Sequence, residues 1–366
     1  MKIVIATPLY PPDPGGPATY SRLLEEGLPT LGIEVAIVKF GDVRRLPKIV
    51  RHLAYFSRVR RAARGADLIY ALDPVSVGLP SLLAAWLTRK PFIVKVVGDH
   101  AWEQGRQHFS VTATLDEFVR QRWISPSLLI HRWVQTIVAR SALRVIVPSH
   151  YLEQVVAIWG VRRNNIQVIW NAIHLEKAST VPQSVAALRK PLIVSVGRLV
   201  PWKGFSELIT ATQLLREGGI PASLVIVGDG PDRTFLAQEA DQHLNGEYVF
   251  TGGISHEQTL ATIAQADVFV LDSLYEGLSH TLIEALTLGV PVVVSDVGGN
   301  VEIVRHEDNG LVVPPENPRA LALSLEKILK DGALRTRLAA AAQASSKDFA
   351  VDTMLQTTAT CLRALV

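Results

Sequence analysis

The chain has 366 residues, of which 48% are hydrophobic, so it is long enough for two domains with buried cores. A single cysteine, Cys361, excludes an internal disulfide and fits a reducing compartment. The apolar start at 1–7 is too short for a signal peptide, and no apolar run approaches ~20 residues, so we expect neither a secretory signal nor a transmembrane helix.

The net charge of +3 is unevenly divided along the chain. Residues 1–180 hold 23 Lys and Arg against 13 Asp and Glu, whereas residues 181–366 hold 14 against 21. A basic half joined to an acidic half suggests that the first half faces something anionic. An unevenly charged but merely solvated surface would show the same balance.

Apolar runs alternate with amphipathic stretches through the first half. Strands alternating with helices imply βαβ units and a parallel sheet. The predicted strands are 2–7, 33–38, 67–71, 92–97, 144–148 and 166–169, and the predicted helices are about 18–30, 43–64, 74–88, 112–141 and 149–158.

Two loops of this half carry candidate site residues. Pro14-Gly15-Gly16-Pro17 follows the first strand, where adjacent glycines let backbone N–H groups approach a phosphate, although a plain tight turn is at least as good an interpretation. It does not match G-x-G-x-x-G, so the dinucleotide fingerprint is absent. Gly98-Asp99-His100 follows a later strand and offers polar side chains at the carboxyl end of that strand, where a ligand would bind; the alternative is a histidine with a structural hydrogen bond.

The helix predicted at 43–64 is strongly basic. Apolar residues are interleaved with its cations, a pattern suited to an anionic membrane surface. The alternative is an ordinary helix that buries one apolar face on the sheet. The residues concerned are Arg44, Arg45, Lys48, Arg51, His52, Arg58, Arg60, Arg61 and Arg64, with Leu46, Ile49, Val50, Leu53 and Phe56 between them.

The alternating pattern restarts after residue 190. New strands are predicted at 191–197, 222–227, 247–250, 267–270 and 290–294, and the segment 174–190 has the mixed polarity of a linker. We therefore predict two doubly wound α/β domains, 1–173 and 191–349, whose strand ends face a shared central cleft.

Strand-end loops of the second half carry further candidates. Arg198 lies just past a strand, and Lys203 opens the next helix. The forked guanidinium of Arg198 and the ammonium of Lys203, a point charge, together suit a pyrophosphate. The alternative is that both are solvated loop cations. Gly228 belongs to a turn that we interpret as mostly structural, with some role in shaping the cleft. Gly253 lies in the glycine-rich segment that follows a predicted strand. The backbone of this segment could pair with the edge of a nucleotide base, or it could form a plain turn.

The most informative span is Glu276-Gly-Leu-Ser-His-Thr-Leu-Ile-Glu284. Ser279 is a natural N-cap for the helix that follows. Such a helix start carries partial positive charge and unpaired N–H groups, so it attracts phosphate. The span predicts an anion site flanked by two carboxylates that seek hydroxyl groups, which matches the shape of a nucleotide sugar.

The order of these motifs resembles glycosyltransferase family 4, retaining enzymes of the GT-B fold, over nearly the whole chain. The matching pieces are the early Gly-Gly loop, Gly-Arg-x4-Lys-Gly, Val-Gly-Asp-Gly-Pro, and Glu-x7-Glu with Gly-Gly-x-x-Glu behind it. The family's Asn-Gly-Val-Asp is Asn171-Ala-Ile-His174 here, so only a hinge position is carried over. The resemblance also suggests that a last helix at about 350–366 returns to the first domain.

The resemblance implies a role for each candidate residue. Glu276 would contact hydroxyls of the donor sugar and Glu284 those of the ribose. Arg198 and Lys203 would bind the pyrophosphate, and either Asp99 or His100 would meet the sugar. Backbone groups would add to donor binding at Gly16, Gly228, Gly253, Gly277, Leu278 and Ser279.

The implied activity is retaining transfer of a hexosyl group from a UDP- or GDP-sugar to a glycan or lipid-linked acceptor, in cell-surface polysaccharide or glycolipid synthesis. The sequence contains no Asp-x-Asp motif, so neither a metal nor a cofactor is expected. We expect a cytoplasmic protein with no nucleic-acid partner, and the basic first half makes the inner face of an anionic membrane a further candidate partner. Two alternatives are a sugar-nucleotide 2-epimerase of the same fold and a non-catalytic sugar-nucleotide-binding subunit.

Overall fold

The computed structural model describes residues 1–13, 15–175 and 180–366. These form two compact units, Met1–Ala172 together with Val351–Val366, and Ile173–Ala350. Pro14 of the predicted glycine loop and residues 176–179 of the predicted linker lie outside the described residues. The described remainder of the linker belongs to the second unit.

The strands are short and mostly rich in Val and Ile, as strands covered on both faces of a parallel sheet should be. They are β1 (Lys2–Thr7), β2 (Glu34–Lys39), β3 (Leu68–Ala71), β4 (Phe92–Lys95), β5 (Arg144–Val147), β6 (Ile166–Val168), β7 (Leu192–Val196), β8 (Ser223–Val227), β9 (Tyr248–Gly252), β10 (Val268–Leu271), β11 (Val292–Ser295) and β12 (Leu311–Val313).

Helices connect these strands and one more closes the chain. They are α1 (Gly16–Gly27), α2 (Lys48–Ala63), α3 (Gly78–Thr88), α4 (His100–His108), α5 (Leu115–Arg120), α6 (Pro126–Ser141), α7 (His150–Ile158), α8 (Gln183–Ala186), α9 (Phe205–Glu217), α10 (Arg233–Leu244), α11 (His256–Ala264), α12 (His280–Thr287), α13 (Asn300–Ile303), α14 (Pro318–Lys330), α15 (Gly332–Ser345) and α16 (Val351–Arg363).

The first unit is built on a six-stranded sheet of order β2-β1-β3-β4-β5-β6, in which every pairing is parallel. Strand order reverses between β1 and β3. Because crossovers are right-handed, α1 covers one face of this sheet, while α2, α3 and α6 cover the other. Helix α16 lies beside α1, and its Leu355 packs where any side chain at Gly27 would stand.

The second unit repeats the design with the order β12-β11-β10-β7-β8-β9, again all parallel. Its strand order reverses between β7 and β10. In sheets of this kind, ligands bind outside the carboxyl ends of the strands at the point of reversal. The loops that follow β7 and β10 are therefore where a ligand site is expected.

The helices differ from the sequence prediction in two places. The single helix expected at 112–141 is two helices, α5 and α6, because the chain extends at Gln121 and α6 restarts behind the Ser125 cap with Pro126 in its first turn. Helix α4, from His100, was not predicted at all. No described helix is long and apolar enough to cross a membrane.

Candidate functional site

Helix α12 begins where the sequence places it. The hydroxyl of Ser279 accepts a hydrogen bond from the backbone N–H of Leu282 at 3.3 Å, which makes Ser279 the N-cap. The preceding loop, 272–279, leaves the carboxyl end of β10 beside the point of strand reversal. Gly277 and Leu278 lie in this loop, so their backbone groups stand at the start of the helix, where an anion is favoured.

Lys203 and Glu276, which are 73 positions apart, form an ion pair. Lys203 Nζ lies 2.5 Å from Glu276 Oε1, and the hydroxyl of Ser273 donates a hydrogen bond to the same oxygen at 2.7 Å. Glu276 is buried. The structure thus joins the predicted pyrophosphate cation to the predicted sugar-binding carboxylate. Sequence reasoning missed Ser273, although its position three residues before Glu276 across a turn was a usable signal.

Arg198 lies two residues past the end of β7 and is exposed. In the described part of the chain its guanidinium makes no hydrogen bond or ion pair. The guanidinium of Arg198 is a planar fork with five N–H donors, and it lies near a strand end, close in sequence to Lys203. Such a group suits a phosphate.

Glu284 has a partner that the sequence did not reveal. Its Oε1 lies 2.9 Å from His256 Nε2, across 28 positions of chain. Its Oε2 is buried and has no hydrogen-bond partner among the described residues. A carboxylate held by one oxygen, with the other unsatisfied, is suited to bind a hydroxyl group.

The loops around this site contact each other through backbone, which requires glycine. A side chain at Gly298, whose φ is +52°, would stand 2.1 Å from Glu276 O, and one at Gly299 would stand 2.3 Å from Gly277 O. The N–H of Gly299 donates to Glu276 O at 2.9 Å. This Gly-Gly pair therefore packs against the Glu276 loop and fixes its position.

Gly228 serves the Arg198 loop in the same way. Its φ is +131°, and a Cβ there would lie 2.0 Å from Gly197 O. Nothing lies within 4 Å of a Cβ placed at Gly253, so that position is open. The structure thus gives Gly228 a packing role, as the sequence suggested, and leaves the surroundings of Gly253 free.

In the first unit, Asp99 caps helix α4. Its carboxylate accepts the N–H of Trp102 at 2.9 Å, the side chain is buried, and burial raises its pKa. His100 is only half buried and its ring centroid lies 5.2 Å from that of His131. Of the two residues left open by the sequence, His100 is the one that solvent reaches.

Gly16 is the first residue of α1 and follows Gly15, whose φ of +120° only glycine adopts easily. The loop leaves β1 at the reversal point of the first sheet.

Among the described residues there is no group of three or more His, Cys, Asp or Glu that could hold a metal ion.

Comparison with solved structures identifies the fold. HepE of Anabaena, in a crystal structure in complex with UDP-glucose, matches with a TM-score of 0.78 over 100% of both chains, at 22% identity. Two parallel doubly wound units of this kind define the GT-B fold, and the predicted fold is confirmed.

Family models match most of the chain. Residues 177–345 match "Glycosyl transferases group 1" and residues 14–172 match "Glycosyl transferase 4-like domain". An uncharacterised glycosyltransferase of Methanocaldococcus jannaschii is 29% identical over 92% of this chain and 90% of its own length. A GDP-mannose-dependent phosphatidylinositol monomannoside mannosyltransferase of Mycobacterium tuberculosis is 31% identical over 54% of this chain and 58% of its own. The chain belongs to the group 1 glycosyltransferases, as its motifs indicated.

Proposed function

We propose that the protein is a retaining hexosyltransferase that moves a sugar from a UDP- or GDP-sugar to a glycan or lipid-linked acceptor. The observation that carries this proposal is the Lys203–Glu276 pair at the start of α12. A cation for the pyrophosphate and a carboxylate for the sugar hydroxyls are held together at the strand reversal of the second sheet. The UDP-glucose bound by HepE supports a nucleotide-sugar donor.

In the proposed reaction, the bond between the anomeric carbon and the diphosphate oxygen breaks and negative charge builds on the leaving group. Arg198, Lys203 and the N–H groups at the start of α12 stabilise that charge. The departing phosphate takes the proton of the acceptor hydroxyl, which attacks from the same face, so configuration is retained. Glu276 orients the sugar through its hydroxyls.

The same cations are proposed to replace a metal ion in stabilising the diphosphate. Turnover should therefore be unchanged by a chelator. Loss of activity with a chelator and its recovery with Mn²⁺ would contradict metal independence.

The main test is Lys203→Ala. Loss of one preorganised cation from the leaving group is expected to lower kcat about 10²-fold to 10³-fold. Lys347→Ala removes an exposed lysine of the same unit and serves as the control. Transfer would be measured with a panel of nucleotide sugars after a thermal-shift screen, in which a tight donor raises Tm. Near-normal turnover of the Lys203 variant would contradict the site.

The same panel separates the two alternatives. A 2-epimerase would form an isomer from a nucleotide sugar with no acceptor present, and a binding subunit would show a thermal shift without turnover.

The acceptor is proposed to belong to polysaccharide or glycolipid synthesis at the cytoplasmic side of a membrane. A relative named for a phosphatidylinositol mannoside substrate supports a lipid-linked acceptor.

A further inference from the structure

Three neighbouring helices of the first unit share an unusual composition. Helices α2, α3 and α6 have 16, 11 and 16 residues and contain no Asp or Glu. Helix α2 contacts α3, and α3 contacts α6. Each presents large apolar side chains to solvent. We call this outer surface the bilayer face and define it by Ile49, Leu53, Trp86, Leu87, Ile130 and Trp133.

Helix α2 has two apolar sides. Tyr55, Val59 and Ala63 are fully buried, so the stripe that a βαβ helix must bury on its sheet is already complete. Ile49 and Leu53 lie outside that stripe and are 77% and 63% exposed. Packing on the sheet therefore does not account for them.

Trp123 extends this pattern beyond the helices. It lies in the segment between α5 and α6, is 93% exposed, and follows Arg122 directly. An indole has a large apolar body and one N–H donor, so it favours a surface that is apolar on one side and wet on the other. The boundary between lipid headgroups and acyl chains is such a surface.

Arginines flank the apolar residues. Arg45, Arg60, Arg61 and Arg64 are exposed and make no ion pair in the parts of the chain that the structure describes. Guanidinium groups bind phosphate oxygens in a bidentate manner, and each basic residue near an anionic leaflet adds roughly fivefold to binding. An exposed apolar surface edged by unpaired cations complements an anionic bilayer.

We propose that the bilayer face docks the first unit on an anionic lipid bilayer. Trp123, Trp133 and Leu53 insert among the headgroups, and the flanking arginines bind lipid phosphates. A second copy of the chain fits less well, since a two-fold interface would bring the same acid-free, arginine-edged surface against itself. The proposal does not depend on the proposed transferase activity.

Co-sedimentation with vesicles tests the proposal on the full chain. Phosphatidylcholine vesicles containing about one-third phosphatidylglycerol should bind the protein, pure phosphatidylcholine vesicles should bind it weakly, and 0.5 M salt should release part of it. The variant Leu53→Ser/Trp123→Ser/Trp133→Ser should lose binding at least tenfold. The variant Arg60→Gln/Arg61→Gln/Arg64→Gln should mainly lose the preference for anionic vesicles over pure phosphatidylcholine vesicles.

Phe235→Ser/Leu323→Ser is the matched control, because these apolar residues of the second unit are 61% and 66% exposed. That variant should bind as the unaltered protein does, and unchanged Tm values would show that all variants fold. Three outcomes overturn the proposal: no binding to anionic vesicles, equal binding by the triple serine variant, or a salt-stable dimer in light scattering that the triple variant abolishes.

Discussion

At the residue scale, the two carboxylates of the Glu-x7-Glu span have different surroundings. Glu276 pairs with Lys203 and Ser273, whereas Glu284 pairs with His256 and has one buried oxygen without a hydrogen-bond partner among the described residues. The hydrogen bonds and ion pairs of the two carboxylates are therefore made with different residues. The proposed roles, sugar hydroxyls for Glu276 and ribose hydroxyls for Glu284, agree with this separation.

The His256–Glu284 pair leads to a prediction about ribose recognition. His256 holds Oε1 of Glu284, which leaves Oε2 for a hydroxyl. Glu284→Gln should weaken binding of UDP or GDP about tenfold and erase most of the preference over the 2′-deoxy nucleotide, since a charged hydrogen-bond acceptor is lost. His256→Ala should also weaken nucleotide binding and reduce the preference over the 2′-deoxy nucleotide, but by less than Glu284→Gln does. In this variant the Glu284 carboxylate is still present and is only held less firmly in position.

Isothermal titration with ribo- and 2′-deoxyribonucleoside diphosphates measures this preference. His150→Ala is the control, since His150 forms a similar pair with Glu153 on the surface of the first unit. If the unaltered protein binds neither nucleotide, the proposed donor is wrong. If it binds and the Glu284 variant keeps full discrimination, only the role of Glu284 is wrong.

Asp272 leads to a prediction about pH. Burial, and then the charges of Glu207 and Glu316, raise its pKa to about 8, and neither carboxylate oxygen has a hydrogen-bond partner among the described residues. Between the unfolded pKa near 4 and the folded value, the native state holds a proton that the unfolded state lacks. The free energy of unfolding should therefore fall by about 1.4 kcal/mol per pH unit over this window.

Asp272→Asn removes the titrating group while keeping its shape. The variant should be more stable than the unaltered protein at pH 8 and nearly equal to it at pH 4. Urea unfolding at a series of pH values measures the difference. A constant difference across the series would show that Asp272 does not titrate in this range.

At the element scale, the site is a set of loops at the carboxyl ends of β7, β8, β10 and β11. Glycines let these loops touch through backbone atoms. The sequence showed the glycine pairs and their order but not which loops they join. Gly298 and Gly299 contact the Glu276 loop because β11 pairs with β10 in the sheet, an adjacency that local sequence does not encode.

Gly298→Ala should therefore damage both stability and donor binding. A Cβ would meet Glu276 O, and alanine disfavours a φ of +52°, so a loss of about 1–3 kcal/mol is expected from the strained backbone, with more from the clash. Gly332→Ala is the control, because nothing lies within 4 Å of its Cβ position. Thermal unfolding and nucleotide titration of both variants measure the effects. Equal Tm values for the two variants would contradict the packing role.

Element prediction failed most clearly around Asp99. The polar run after β4 suggested a site loop, whereas the structure uses Asp99 as the N-cap of α4 and places Glu103 in its first turn. Both residues are typical signals of a helix start. The same residue types serve caps and ligand sites, so composition did not distinguish the two.

At the scale of the whole molecule, α16 belongs to the first unit although it follows the second in sequence. Its Met354, Leu355, Ala359 and Leu362 complete the core formed by α1 and one face of the sheet. Packing of this last helix is therefore part of the stability of the first unit.

Leu362→Ala should lower the free energy of unfolding of the first unit by about 2–5 kcal/mol, because it removes a fully buried side chain and leaves a cavity. Gln356→Ala, on the exposed side of α16, should change it little. Urea unfolding of the full chain, followed in both units, measures the effect. A loss confined to the second unit would contradict this assignment.

The sequence by itself determined most of the alternation of strands and helices, the two α/β units, the N-cap at Ser279 and the order of motifs that marks a group 1 glycosyltransferase. These features rest on short-range periodicity and local hydrogen bonding. Only the tertiary structure decided that Lys203 meets Glu276, that His256 holds Glu284, and that α2 leaves a second apolar side in solvent. Such contacts depend on which strands lie side by side, and that order is set by packing of the whole sheet.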